Sequence, residues 1–264
     1  YMKANFPVDY MAAVLTSDAG DVEKIAEVVA ECKRMGLDVL PPSVNESRGT
    51  LTVIDEKTIR FELYSIKNFA TGIADELISE REANGNFESL SDCLSRVADK
   101  NLNKKSLEAL IMSGSLDDIG ERKQLLTHIE KLLEFRKEHA KAPAGMVSLF
   151  GSAPSQKASL TLPSEKPATL DEKLAWEKEL LGFYVSGHPL DRCRSTLEKQ
   201  KMNLKQMKEG YPRGVETVIG GMLESTQFIL TKNGERMMFG RFADYVGNVE
   251  IVVFPKTFEK HKNI

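Results

Sequence analysis

The chain has 264 residues, 41% of them hydrophobic and 28% charged, with 36 basic against 39 acidic side chains for a net charge of −3. At roughly 150 residues per domain, that length predicts about two domains or several small modules, with enough apolar material for compact cores. The composition excludes wholesale disorder, no apolar run reaches the ~18 to 20 residues of a membrane helix, and the near-even charge excludes a general polyanion-binding surface while leaving room for a local patch.

The opening residues, Tyr1-Met2-Lys3, carry neither an initiator methionine nor a secretory signal, and read as the start of a piece of a longer chain. Val22, Ile25, Val28, Val29, Cys32 and Met35 recur at helical spacing, with Gly36 placed to end that helix and Pro41-Pro42 forbidding its continuation. Leu51–Ile54 and Thr58–Phe61 flank Asp55-Glu56-Lys57 and predict a small β-hairpin. Short helices follow from Ser65 to about Arg136. Their stripes are Ile73, Leu77 and Ile78, then Leu107, Leu110 and Ile111, then Leu125, Leu126, Ile129, Leu132 and Leu133. Helices this short gain their stability from packing, so a bundle of helical hairpins is expected.

Between about Lys137 and Pro167, Ala, Ser, Pro and Lys dominate, as in a linker. One apolar island, Met146-Val147-Ser148-Leu149-Phe150, interrupts it. A helix restarts at Thr169, which stands three residues before Glu172 at capping-box spacing; Leu170, Leu174, Trp176, Leu180, Leu181 and Phe183 are read as its buried face. From Val215 onward the pattern turns to β. Val215–Leu230 reads as one long strand, Asn233-Gly234 as a hairpin turn, and Arg236–Ala243 and Val249–Phe254 as the next strands. Three meandering strands followed by a polar helical start resemble the first half of an OB barrel. The fold class read from the pattern is therefore α+β and multi-module: mainly helical, then a partial OB-type β-barrel whose remaining strands are expected beyond Ile264.

The three cysteines and four histidines (Cys32, Cys93, Cys193; His128, His139, His188, His261) are scattered without CxxC or metal-ligand spacing. That fits a reducing cytoplasm and speaks against a disulfide framework or metal centre. His188, between Gly187 and Pro189, has no Ser, Asp or second His at catalytic spacing and reads as a satisfied turn residue.

Several strings carry a family resemblance. Pro7-Val8-Asp9-Tyr10-Met11-Ala12-Ala13, Glu31–Leu37 with Leu40-Pro41-Pro42, Leu110–Asp117, and above all Leu181-Gly182-Phe183-Tyr184-Val185-Ser186-Gly187-His188-Pro189-Leu190-Asp191 resemble the C-family of bacterial replicative DNA polymerases, the DNA polymerase III alpha subunits. The resemblance runs almost end to end. It implies a fingers-domain tail over 1–57, a tandem helix-hairpin-helix duplex-binding module over 58–136, and a linker with a clamp-binding motif over 137–168. Bridging helices over 169–212 and a truncated OB domain over 213–264 complete it. The family's catalytic carboxylates would lie upstream in a palm domain, so no catalytic residue and no metal ligand is carried over. Mg2+ is expected only in the full-length polymerase, and the piece alone is expected to be inactive. The implied partners are primer-template DNA, single-stranded template (weakly), the sliding clamp and other replicative polymerase subunits, in the cytoplasm and away from membranes.

On that basis the first hairpin would offer Lys67, Asn68, Thr71 and Gly72 to a phosphate, because a glycine-rich turn at a helix N-terminus presents backbone N–H groups to an anion. Here Glu62, Tyr64, Asn68 and Ala70 stand where the family usually has glycine. Asn tolerates the left-handed conformation, whereas Ala70 cannot bring its backbone equally close. Arg96, Lys100, Lys104 and Lys105 form a second candidate cluster, diluted by Asp99, Glu108, Asp117, Asp118 and Glu121; Arg122 and Lys123 follow at the next helix start. In the linker, Met146, Ser148, Leu149 and Phe150 match the clamp motif, with Met146 in place of the family's glutamine. Burying Leu149 and Phe150 would yield roughly 3–6 kcal/mol before ordering costs. In the β module, Lys232, Arg236 and Arg241 are read as backbone contacts and Phe228, Phe239, Phe242, Tyr245 and Phe254 as stacking or core residues, with about half of such side chains facing inward. Residues 214–264 hold six basic and six acidic groups, so single-strand binding there would be weak. Two rival readings stay open: a free-standing DNA-repair adaptor, and a protein–protein scaffold without DNA contact.

Overall fold

In the computed structural model, residues 1–139, 160–197, 199–200, 202–212, 214–245 and 247–261 are described. They divide into two compact units, Tyr1–Gly187 and His188–Ile264. The boundary falls inside the stretch read from sequence as bridging helices.

The first unit opens with α1 (Met2–Asn5), α2 (Pro7–Ser17) and α3 (Val22–Arg34). The Asp21 side chain caps α3 by accepting from the Lys24 N–H. The predicted hairpin is present as β2 (Thr52–Asp55) and β3 (Thr58–Arg60), antiparallel with Val53 opposite Ile59. It has a third member that the pattern did not announce. β1 (Asp38–Leu40) runs parallel to β3, placing β3 at the centre with Ile59 fully buried. Three residues before a Pro-Pro pair are too short for periodicity to register as a strand.

The helical bundle follows: α4 (Thr71–Asn84), α5 (Leu90–Arg96), α6 (Lys104–Met112), α7 (Arg122–Thr127) and α8 (Ile129–His139). The stripe at Leu125–Leu133 is two helices, broken at His128. Leu107, Leu110 and Ile111 are fully buried, as are Ile73 and Leu77. At about 1.5–3 kcal/mol for each such side chain, these stripes are what hold helices of six to fourteen residues in place.

The strap 160–169 returns along the bundle, with Leu160 and Leu162 against the core and the Pro163 carbonyl accepting from Gln124. The predicted capping box then starts α9 (Leu170–Leu180), with Thr169 and Glu172 satisfying each other's backbone N–H groups. Its apolar face is narrower than the sequence implied: Leu174, Leu180, Leu181 and Phe183 are buried, Trp176 is half-buried and Leu170 is exposed. The space goes instead to Glu177, which is completely buried.

The second unit starts with a 3₁₀ turn (Pro189–Cys193), α10 (Arg194–Leu197) and α11 (Leu204–Gly210). His188 caps the turn by accepting from the Leu190 N–H, and its ring lies 4.6 Å from that of Tyr245. Three antiparallel strands form a meander: β4 (Met222–Leu230), β5 (Arg236–Ala243) and β6 (Asn248–Val253), followed by α12 (Pro255–His261). The long strand begins at Met222, not Val215. The β4–β5 loop closes with Gly234 at φ +78°, a left-handed position that glycine fills without strain.

Candidate nucleic-acid interface

Two turns in the first unit lead into helices and invite comparison as anion grips. The first, Ser65–Ala70, is anchored by Ile66 and Phe69, both buried, so Lys67, Asn68 and Ala70 face outward. The Lys67 N–H donates to the Leu180 carbonyl (3.0 Å), which pins the turn to the end of α9. Asn68 takes φ +64°, making it the non-glycine that occupies the left-handed region among the described residues. α4 then begins at Thr71 with Ala70 at its N-cap, where no side-chain capping bond is made. Thr71 and Gly72 are both exposed.

The loop after α5 is brought to the same place. The Glu76 carboxylate on α4 accepts from Ala98 N–H and Asp99 N–H, both at 2.7 Å. Arg136 on α8 donates to the Asp99 and Leu102 carbonyls from the other side. Held this way, the loop leaves Lys100 exposed at its tip and sets Asp99 against Gly72. Neither Glu76 nor Arg136 stood out in the sequence, because each acts on backbone atoms of a distant loop.

The rest of the predicted cationic cluster divides. Lys105 is exposed. Lys104, also exposed, donates to Glu130 at 2.6 Å. Arg96 is a correction to its reading as a surface cation. Its side chain is 11% exposed, ion-paired to Glu80 and Asp92, bonded to the carbonyls of Glu80, Gly85 and Asn86, and stacked 4.4 Å over Phe87. It closes the turn between α4 and α5.

The second turn, Ser113–Glu121, is closed. Arg122 opens α7 yet is only 1% exposed. It forks onto Asp117 (2.8 and 2.9 Å) and reaches Glu177 at 3.1 Å. Burial opposes the Arg122 charge, and the bonds from Asp117 and Glu177 outweigh it, raising the guanidinium above its ordinary range. Glu177 also accepts from Val185 N–H, Ser186 N–H and the Ser186 hydroxyl. Gly114, at φ +88°, leaves room for the guanidinium: a Cβ there would sit 2.3 Å from Nη2. The helix start is capped by Glu121, which accepts from Gln124 N–H and Ala168 N–H. Lys123 is paired with Glu172.

In the second unit, Lys232 and Arg236 are exposed in the β4–β5 hairpin, and Arg241 lies 3.4 Å from Glu224. Phe228, Phe239 and Phe254 are 59%, 37% and 65% exposed, more than strand alternation led us to expect; Phe242 is half-buried. Tyr245 is held in place, donating to Asp191 beneath the Arg194 guanidinium. Met146, Ser148, Leu149 and Phe150 lie outside the described residues. Among the described residues there is no cluster of three or more His, Cys, Asp or Glu side chains arranged to hold a metal, and no helix is long and apolar enough to cross a membrane.

Residues 36–126, from just before β1 into α7, match the model of the helix-hairpin-helix motif. Both turns lie inside that match. The whole chain is similar to the DNA polymerase III alpha subunits of Deinococcus radiodurans (36% identity, 98% of this chain and 20% of the relative) and Borreliella burgdorferi (37%, 100% and 23%). The Escherichia coli K12 subunit is 31% identical over 100% of this chain and 23% of its own length. The chain is homologous to one stretch of the DNA polymerase III alpha subunit. It spans about a fifth of the length of the polymerase III relatives it matches. Within that stretch the motif match covers the small sheet and the helices from α4 into α7, while α8, the strap, α9 and the β meander fall only within the similarity to the polymerase III subunits.

Proposed function

We propose that this chain is the DNA- and clamp-binding portion of a replicative polymerase alpha subunit, holding primer-template DNA behind the site of synthesis. The observation that carries the reading is the open first turn. Left-handed Asn68 delivers the chain to the uncapped start of α4, with Lys67, Thr71 and Gly72 exposed there and Lys100 presented by the adjoining loop. A helix start with unsatisfied N–H groups and flanking lysines is suited to a phosphate. Lys105, and Lys104 in exchange for Glu130, extend the contact.

The β meander is read as part of an OB domain, its Lys232, Arg236 and exposed phenylalanines meeting single-stranded template weakly. Leu149 and Phe150 are read as the clamp tether, since two large apolar residues in a polar, Pro-rich stretch suit a weak, exchangeable contact. In the full-length enzyme the chemistry would be attack of the primer 3′-hydroxyl on the α-phosphate of a deoxynucleoside triphosphate with release of pyrophosphate, Mg2+ being assigned to the parent polymerase and to none of the residues named here. The domain limits at 57, 136, 168 and 212 belong to the same reading.

Two titrations test it. Fluorescence anisotropy with primer-template duplex is expected to show salt-dependent binding that weakens in Lys67→Ala. Calorimetry with a bacterial sliding clamp is expected to show micromolar-range binding that is lost in the Leu149→Ala, Phe150→Ala double variant. Clamp binding without DNA binding at low salt would favour the scaffold reading, and nucleotide incorporation by the isolated chain would overturn its assignment as a non-catalytic portion.

A further inference from the structure

The grip at α4 has an anion of its own. Ala70 has no side chain with which to cap α4, and the first turn of a helix favours a negative charge. The neighbouring loop supplies one. Asp99 is fixed at three points: its N–H donates to Glu76, its carbonyl accepts from Arg136, and its Oδ1 accepts from the Asn101 N–H at 2.6 Å. Glu76 holds the preceding residue as well, through the Ala98 N–H. With those atoms committed, the remaining oxygen, Oδ2, lies 3.6 Å from the place that a Cβ on Gly72 would occupy. Gly72 is the second residue of α4, where an incoming phosphate would approach.

We propose that Asp99 is an internal competitor at this grip, a fixed carboxylate that a neighbouring loop sets beside the start of α4 and that weakens the contact of the first turn with DNA phosphate. The inference rests on the DNA-binding reading above and deepens it. A polymerase that must slide along its product gains from a grip that releases readily. Lys67 and Lys100 attract the backbone toward the turn, and Asp99 keeps the contact from becoming tight.

Asp99→Asn tests this with little disturbance, because the amide keeps an oxygen for the Asn101 N–H and nearly the same volume. Using the whole chain and labelled primer-template duplex at low salt, the variant is expected to bind about three- to tenfold tighter, an effect that shrinks as salt rises. The Thr71 and Gly72 amide resonances are expected to shift without DNA. Should the Asn variant fold poorly, Asp99→Ser retains an acceptor for Asn101 and removes the same charge. Unchanged or weaker binding in a folded Asp99 variant, with Lys67→Ala still weakening binding, overturns the competitor while leaving the DNA reading intact. If neither substitution changes binding, or no duplex binds at low salt, both fall.

Discussion

The two hairpin turns of the helical module follow the same plan, and the chain treats them oppositely. The first leads from β3 into α4 and the second from α6 into α7, and each has a cation near the new helix start. In the second turn that cation, Arg122, is buried against Asp117 and Glu177, and Glu121 occupies the helix N-terminus. In the first, Lys67 is exposed and α4 has no cap from its own sequence. A turn into a helix thus becomes a lock when its polar groups are satisfied within the chain, and on the reading proposed above it serves as a grip when they are left for a partner.

The largest effect should come from opening the lock. Arg122→Ala leaves Glu177 buried without its main counter-charge, and unfolding is expected to become easier by about 3–5 kcal/mol. Thermal or urea denaturation checks this; a change under about 1 kcal/mol would mean that Glu177 finds other partners. Gly114→Ala should act in the same direction, since the new methyl meets the Arg122 guanidinium and the left-handed backbone disfavours alanine. In the grip, by contrast, Lys67→Ala is expected to leave stability unchanged. It should weaken duplex binding by about tenfold at low salt and lower the slope of log affinity against log salt by about 1. Lys123→Ala, at the locked turn, should change duplex binding little.

A smaller effect sharpens the comparison through pH. Glu172 is held down to about 2 by the bond from Lys123, assisted by its capping bonds to Thr169. Because its folded value lies below the unfolded one, its contribution is present above about pH 4.5 and is lost as pH falls toward 2. The melting temperature of Glu172→Gln should therefore converge on that of the parent chain at the acid end of that window. Cysteine reactivity offers the mildest probe of the core. Burial pushes the Cys93 thiol to about 12 and the Cys32 thiol to about 11, whereas Cys193 is exposed. A thiol reagent should modify one cysteine in the native chain and three after denaturation.

Much of this was legible in the sequence because it is written locally. Helical stripes, the Thr169 capping box, the meander and the left-handed tolerance of Asn68 each depend on residues a few positions apart. What was hidden is non-local. β1 exists because β3 accepts it as a parallel partner, and Arg96 is removed from the surface by acceptors on three sides. Glu177 carries no local signal of burial, because the partner that makes it possible, Arg122, stands 55 positions away. Glu76 and Arg136 bond to backbone, which leaves no trace in residue type.

The most direct test is hydrogen–deuterium exchange of the whole chain with and without primer-template duplex at low salt. The account predicts added protection over 66–74 and 98–103, and none over 113–124. Protection at 113–124 with none at the first turn would contradict it.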